Sequence, residues 1–462
     1  MIVEPLSQRT LTPYQYIPIY PYVPMKTDGS IEIHGSTEHA VQLEQSGQTL
    51  QAELLFLGVL NKCPNDAGAS AGVARLAMLR GDPARALTFL EPARRAHPEV
   101  DQLVIDLALA HLATGSSTAA VSSLESALKQ TPSHLLGWLL LGQIRDEMGD
   151  GAGANKAWYQ AVTRAKRAGQ WSDAQNTPAQ LADVISQAKE KVRQSRRELF
   201  FGCYEDLRQK FGPQDLKRVD RALSGYLREW DATPSSTRQR PTFLYFPGLP
   251  DSPYQDPFAQ PWAERLQAAF PAIREEALRV IAEDAVLPDF VEVPKGRRML
   301  DYVSGEGPSP AWEAFFFYRH GERFDANHAR CPLTSAVLES IDLCHINGQA
   351  PEILYSILRP GSRIMPHYGV SNVRLVMHLP LQVPRDCALN VLDAGEHHWQ
   401  EGRLMMFDDT YLHEAWNRST STRVILLMDC WNPHLSAIER LAVRQLIETI
   451  SALNPIVRAP TN

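Results

Sequence analysis

The chain has 462 residues, 44% of them hydrophobic and 21% charged, with a formal net charge of −7. That length exceeds one ordinary core and predicts two or three domains. The acidic balance argues against a general nucleic-acid binder, which needs a basic face to meet phosphate.

At the N-terminus, MIVEPLSQRTLTPYQYIPIYPYVP lacks a cationic stretch followed by an apolar block, so no secretory signal is expected. Its alternating tyrosines and prolines predict an extended arm over residues 1–35. The longest apolar run, Leu135–Leu141, is too short to cross a bilayer. Six scattered cysteines without a C-x-x-C pair fit reduced thiols. A soluble cytoplasmic protein, binding neither membrane nor nucleic acid, is the expectation.

Residues 36–170 carry an internal repeat. Gly47, Gly81, Gly115 and Gly149 recur at a spacing of 34, as do Ala52, Ala86, Ala120 and Ala154. Phe56, Leu90, Leu124 and Trp158 keep step, and so do Pro64, Pro98 and Pro132. A glycine allows the turn between two helices, an alanine lets them approach, and a proline stops the second. Over roughly residues 36–166 this resembles about four degenerate tetratricopeptide units, whose stacked hairpins form a concave surface. A peptide or protein partner held on that surface is the expectation. Residues 171–239 keep helical periodicity without these columns and read as a connector, ending in the linker-like ATPSSTRQRP.

From residue 240 to 462 the texture changes. Nine of the fourteen histidines lie between His320 and His434. The segments ILYSILRP, RLVMHLPLQVP, LNVLDAG, GRLMMFDD and TRVILLMDCW are separated by turn residues, which predicts a sandwich or barrel of short strands. Helices in PWAERLQAAFPAIREEALRVIA precede them.

Two long motifs stand out, PHYGVSNVRLVMHLPLQVP at 366–384 and FDDTYLHEAWNRSTSTRVILLMDCWNP at 407–433. With RPTFLYFPGLP at 240–250, they resemble the aspartyl/asparaginyl β-hydroxylases over most of 240–440. The resemblance implies an α+β multidomain chain, in which the helical solenoid precedes a double-stranded β-helix (jelly-roll, cupin-like) with flanking helices. It implies an oxygenase using Fe(II), 2-oxoglutarate and O2 to hydroxylate the β-carbon of an Asp or Asn residue. The metal ligands would be His367 and His413. The superfamily's usual carboxylate ligand falls at Gly369, and the family is known for doing without it. Arg423, helped by Ser356, would hold the far carboxylate of 2-oxoglutarate; His378 would contact its inner carboxylate, and Trp312 would line the pocket. Asp408 and Asp409 would order His413 or the turn. Val376 stands where well-known members carry an arginine, and Arg374, on the same face, is the candidate to compensate. Other readings are a related 2-oxoglutarate oxygenase acting on a small molecule, a carrier-bound amino acid or a lipid acyl chain, halogenation through the vacancy at Gly369, or a non-catalytic repeat scaffold.

Overall fold

The structure is a computed structural model, described here for residues 31–453 except 235, 285, 294–295, 306–309 and 393. It divides into two compact units, residues 1–196 and 197–462. Most of the expected N-terminal arm lies outside the described residues.

The first unit is a stack of four helical hairpins: α1 (Ile31–Gln45) with α2 (Thr49–Lys62), α3 (Ala67–Leu79) with α4 (Pro83–Ala96), α5 (Asp101–Ala113) with α6 (Ser117–Gln130), and α7 (Leu135–Glu147) with α8 (Gly151–Arg167). The repeat columns explain it. Gly47, Gly81, Gly115 and Gly149 take φ between +74° and +81°, the left-handed turn after each first helix. Ala52, Ala86, Ala120 and Ala154 are fully buried where the helices meet. Residues 31–35, expected in the arm, are part of α1, and no proline there stops a helix.

Close helix approach is also fixed by Gly142 on α7, where an added Cβ would overlap the Trp158 indole of α8. Gly142→Ala is expected to destabilise this unit by roughly 1–3 kcal/mol through overpacking, outweighing a propensity gain of about 1 kcal/mol. A denaturant midpoint that rises would show that the indole yields at no cost.

In the second unit, the end of α9 (Ala182–Gly202), α10 (Glu205–Phe211) and α11 (Lys217–Tyr226) share a core with the helix at Ala437–Leu453. The stretch expected as connector, 171–239, is therefore mostly folded structure. From residue 197 it belongs to the second unit, because Phe200, Tyr204, Leu207, Val219 and Leu223 bury one apolar face there.

Two antiparallel sheets follow. Their strands are β1 (Tyr254–Gln255), β2 (Val303–Gly305), β3 (Trp312–Arg319), β4 (Glu322–Arg323), β5 (Ile353–Leu358), β6 (Ser362–His367), β7 (Arg374–Gln382), β8 (Cys387–Val391), β9 (Gly395–His397), β10 (Met405–Phe407), β11 (His413–Asn417) and β12 (Arg423–Trp431). The seven-stranded sheet has the order β1-β10-β7-β12-β5-β3-β4, and the five-stranded sheet β2-β6-β11-β8-β9. From β5 onward the chain alternates between the sheets, apart from the β8–β9 hairpin within the smaller one, which is the winding of a double-stranded β-helix. Helices α12 (Ala263–Ala268), α13 (Phe270–Glu283), α14 (Asp325–Arg330) and α15 (Pro332–Glu339) precede β5, and α16 (Ala437–Leu453) follows β12. Alternate residues of β7 and β12, such as Met377, Leu379, Leu426 and Met428, pack with α12, α13 and α15. The opposite set, with Val376, Phe407 and Ile425, joins Ile364, Leu389 and Ala415 of the smaller sheet in an inner core. No helix of the described residues is long and apolar enough to cross a membrane.

Candidate metal and cosubstrate site

His367 ends β6 and His413 begins β11, and antiparallel pairing sets the two residues directly opposite. Their rings lie 4.2 Å apart, centroid to centroid. Each Nδ1 is 2.8–2.9 Å from the main-chain oxygen two residues earlier, Met365 O for His367 and Tyr411 O for His413. A carbonyl only accepts, so each Nδ1 carries the proton and each Nε2 keeps its lone pair. Burial pushes His413 down to about 3, aided by the neighbouring His367, so it stays neutral as a ligand must.

The third side of this pair is occupied in an unexpected way. Gly369 has no side chain to ligate, and the carboxyl of Asp409 fills the space that a Cβ there would need. The Gly369 N–H donates to Asp409 O at 2.6 Å. Asp409 Oδ1 is buried without a hydrogen bond, and burial, opposed by Arg374, pushes its acid up to about 7. Asp408 accepts from the Thr410 N–H at 2.9 Å and from Gln239 Nε2 at 2.7 Å. Neither aspartate carboxyl orders His413, contrary to one half of the expectation: the ring is held by Tyr411 O, and the motif's first aspartate holds the turn.

Arg423 begins β12 and is 2% exposed. Among the described residues its partner is Ser356 Oγ at 3.5 Å, which in turn accepts from Trp312 Nε1 at 2.9 Å. The Trp312 ring stacks on Phe290. Nε and Nη2 of Arg423 are buried with no partner, and among the described residues no carboxylate answers the charge, so burial pushes the guanidinium down to about 10. A buried cation in that state fits an anionic ligand.

His378 lies between these two features, feeling both Arg423 and His413, and burial drives its pKa well down. Trp399 Nε1, which can only donate, points to His378 Nδ1 at 3.2 Å. The proton therefore sits on His378 Nε2, a buried donor without a partner and suited to a carboxylate. The Arg423 guanidinium lies 5.2 Å from the Trp399 ring. Sequence reading missed Trp399, because its role comes from packing across strands rather than from a motif.

Val376 faces the same interior from β7, opposite Phe407. Arg374 does not compensate for it: its Nη1 is 2.5 Å from Asp429 Oδ2 on β12, an internal ion pair.

A family model described as Aspartyl/Asparaginyl beta-hydroxylase matches residues 267–433, and one described as Tetratricopeptide repeat matches residues 77–144. The chain is 30% identical over 270 residues to Aspartate beta-hydroxylase domain-containing protein 2 of Homo sapiens, spanning 56% of this chain and 69% of that protein. It is 32% identical over 192 residues to Ornithine lipid ester-linked acyl 2-hydroxylase of Rhizobium tropici, spanning 41% and 64% respectively. To Aspartyl/asparaginyl beta-hydroxylase of Mus musculus it is 34% identical over 131 residues, 28% of this chain and 17% of that protein.

Proposed function

This chain belongs to the aspartyl/asparaginyl β-hydroxylase family, and from that membership and the site's geometry we propose that it is an Fe(II)- and 2-oxoglutarate-dependent oxygenase. The observation that carries the reading is a pair of neutral histidines whose Nδ1 atoms face main-chain oxygens, leaving each Nε2 its lone pair, together with a buried arginine two of whose nitrogens lack a partner. Two imidazoles without thiolate suit Fe(II) and leave coordination positions open. His367 and His413 would hold the metal. Arg423 and Ser356 would receive the far carboxylate of 2-oxoglutarate, bound by a guanidinium fork that matches it geometrically. His378 Nε2 would donate to the carboxylate at the metal end.

With metal and cosubstrate bound, the site supplies O2-dependent decarboxylation of 2-oxoglutarate to succinate and CO2, coupled to hydroxylation of a C–H bond. The protein's own residues orient the cosubstrate between Arg423 and the histidine pair. The inner core around Val376, Phe407 and Ile425 keeps water from it. The substrate in this reading is an Asp or Asn residue of a peptide or protein, with the repeat unit as its docking surface. A lipid acyl chain is the second reading, favoured by the apolar Val376 wall and by the Rhizobium tropici relative.

Purified chain reconstituted with Fe(II) without oxygen, then exposed to O2 with 2-oxoglutarate, is expected to form succinate. Treatment with a chelator should abolish it. Calorimetry of Mn(II) and 2-oxoglutarate binding covers the case in which turnover waits for substrate. Failure of both ligands to bind would sink the reading.

A further inference from the structure

The repeat unit divides its charge between its two layers of helices. Successive first helices touch, α1 with α3, α3 with α5 and α5 with α7, whereas the second helices of successive hairpins approach less closely. A bent stack brings its inner layer together, so the first helices line the concave side. From Ser36 on, those helices carry six carboxylates, Glu38, Glu44, Asp101, Asp106, Asp146 and Glu147, against Arg75 and Arg145. The second helices carry nine lysines and arginines against three glutamates. The inner acidity is thus a property of one face and not a share of the chain's net charge of −7. Neither inner arginine offsets it. Arg75 is held by both oxygens of Glu44 at 2.7 and 3.1 Å, and Arg145 turns to Glu125 on α6 and to Gly153 O on α8.

Glu44, Arg75 and Asp106 form a row across α1, α3 and α5, with one cation between two acids. Asp106 Oδ1 accepts from Gln102 Nε2 at 2.8 Å, while its Oδ2 is buried without a donor. Gln143 Oε1, on α7, is a second buried acceptor without one. Burial, opposed by Arg75, pushes the Asp106 acid up to about 6, the mark of a carboxylate short of positive charge. The residue as a whole is only half-buried, and its carboxylate turns softly about χ2. Half-buried Leu109, Leu112 and Leu136 lie on the same layer of helices.

From this arrangement we infer that the concave face of the repeat unit binds a cationic peptide segment, whose lysine or arginine side chains lay their stems on these leucines and their charges on the row at Asp106. Such side chains carry an aliphatic stem and a charged head, and they donate hydrogen bonds without accepting any. Either head satisfies Asp106 Oδ2. An acidic segment would add charge of the same sign, and a neutral one would leave the row uncompensated. The inference deepens the docking role proposed above for the repeat unit and rests on it, but not on the chemistry at the histidine pair.

The test measures fluorescence anisotropy of labelled peptides with the full chain at pH 8. Salt at about 0.1 M screens the chain's general field beyond about 10 Å and leaves direct contacts in place. The probes are peptides of equal length repeating Gly-Lys-Ala, Gly-Gln-Ala and Gly-Glu-Ala. The lysine peptide is expected to bind at least about tenfold more tightly than the other two, and Asp106→Asn to weaken it about tenfold. Glu91→Gln makes the same change of charge on α4, in the outer layer, and should leave the affinity unchanged. If Asp106→Asn does not fold, Glu44→Gln, which removes an acid from the same row, decides the point. Equal affinity for the three peptides, no binding by the lysine peptide, or equal weakening by Glu91→Gln each overturns the inference. Sedimentation of the chain alone covers the other occupant: self-association that Asp106→Asn abolishes gives this face to a second copy and overturns it too. Peptide binding without a lysine preference removes this inference alone, and no binding by any of the three removes the docking role beneath it. Calorimetry of 2-oxoglutarate on the same samples keeps the oxygenase reading separate from both.

Discussion

Arg423→Met is expected to do two opposite things: weaken 2-oxoglutarate binding severely and make the ligand-free protein more stable. The guanidinium is 2% exposed, its one hydrogen bond to Ser356 is long, and two of its nitrogens have no partner. Holding an unanswered charge in such a place costs several kcal/mol, and replacing it by an apolar side chain of similar length typically returns about 1–4 kcal/mol. The ligand-free variant should therefore unfold at higher denaturant concentration than the wild type. Removing one member of a buried, hydrogen-bonded charge pair typically costs about 2–5 kcal/mol of binding. The affinity of Mn(II)-loaded protein for 2-oxoglutarate should fall by roughly 30-fold to several thousand-fold. Saturating cosubstrate stabilises wild type by about 2.7 kcal/mol at a hundred times Kd, and that increment should vanish in the variant. Arg423→Lys keeps the charge but not the planar fork, and should fall between the two. Unchanged 2-oxoglutarate affinity in Arg423→Met would show that the arginine is not its anchor.

The parts of this molecule that are legible in the sequence are those written locally. The repeat hairpins show because each first helix ends on a glycine at positive φ, and a left-handed residue at a fixed spacing leaves a column. β5, β7, β8, β10 and β12 show because β-rich runs are bounded by turn residues. β3 was missed for the opposite reason. Its WEAFFFYR core is buried on both faces, between the helix-covered layer and the inner layer, so no alternation survives. β6 was missed because Pro366 interrupts it just before the histidine that matters.

Long-range packing is where sequence reading stopped. Nothing near residue 218 announces that Arg218 will bind Glu439 on α16 at 2.6 Å, yet this contact and the shared apolar face assign α10 and α11 to the second unit. The motif fixed attention on His367, His413 and Arg423, whose types and spacing are specific. It could not show that Asp409 would fill the space at Gly369, 40 positions away, or that Trp399 would set the tautomer of His378. Those roles depend on which strands pair and in what register.

The same limit explains why the segment just before the barrel looked like a linker, and it leads to the second large effect. Residues 236–256 run against both loops that carry the histidines. Gln239 bridges to Tyr411, and the Arg240 N–H donates to Thr410 O at 2.8 Å. The N–H groups of Thr242 and Phe243 donate to Gly369 O and Val370 O at 3.0 and 2.9 Å. Phe246 and Asn372 exchange two hydrogen bonds, and Pro253 O accepts from the Asp408 N–H. The loop after His367 and the loop before His413 are thus held by one strap. Removing it would strand several buried polar groups, each costing about 1–3 kcal/mol when left unpaired, against a domain stability of about 5–15 kcal/mol. A chain starting at residue 267, where the family match begins, is expected to lose cooperative unfolding and to bind Mn(II) at least about a hundredfold more weakly. A chain starting at 197, which keeps the strap and the whole second unit, should match the full-length protein in both measurements. Gln239→Leu tests the strap by one contact, leaving the Asp408 carboxylate to Thr410 alone, and should cost about 1–3 kcal/mol without abolishing metal binding. If the chain from 267 held Mn(II) as tightly as the full chain, the two histidine loops would be self-supporting and the strap would serve only to cover them.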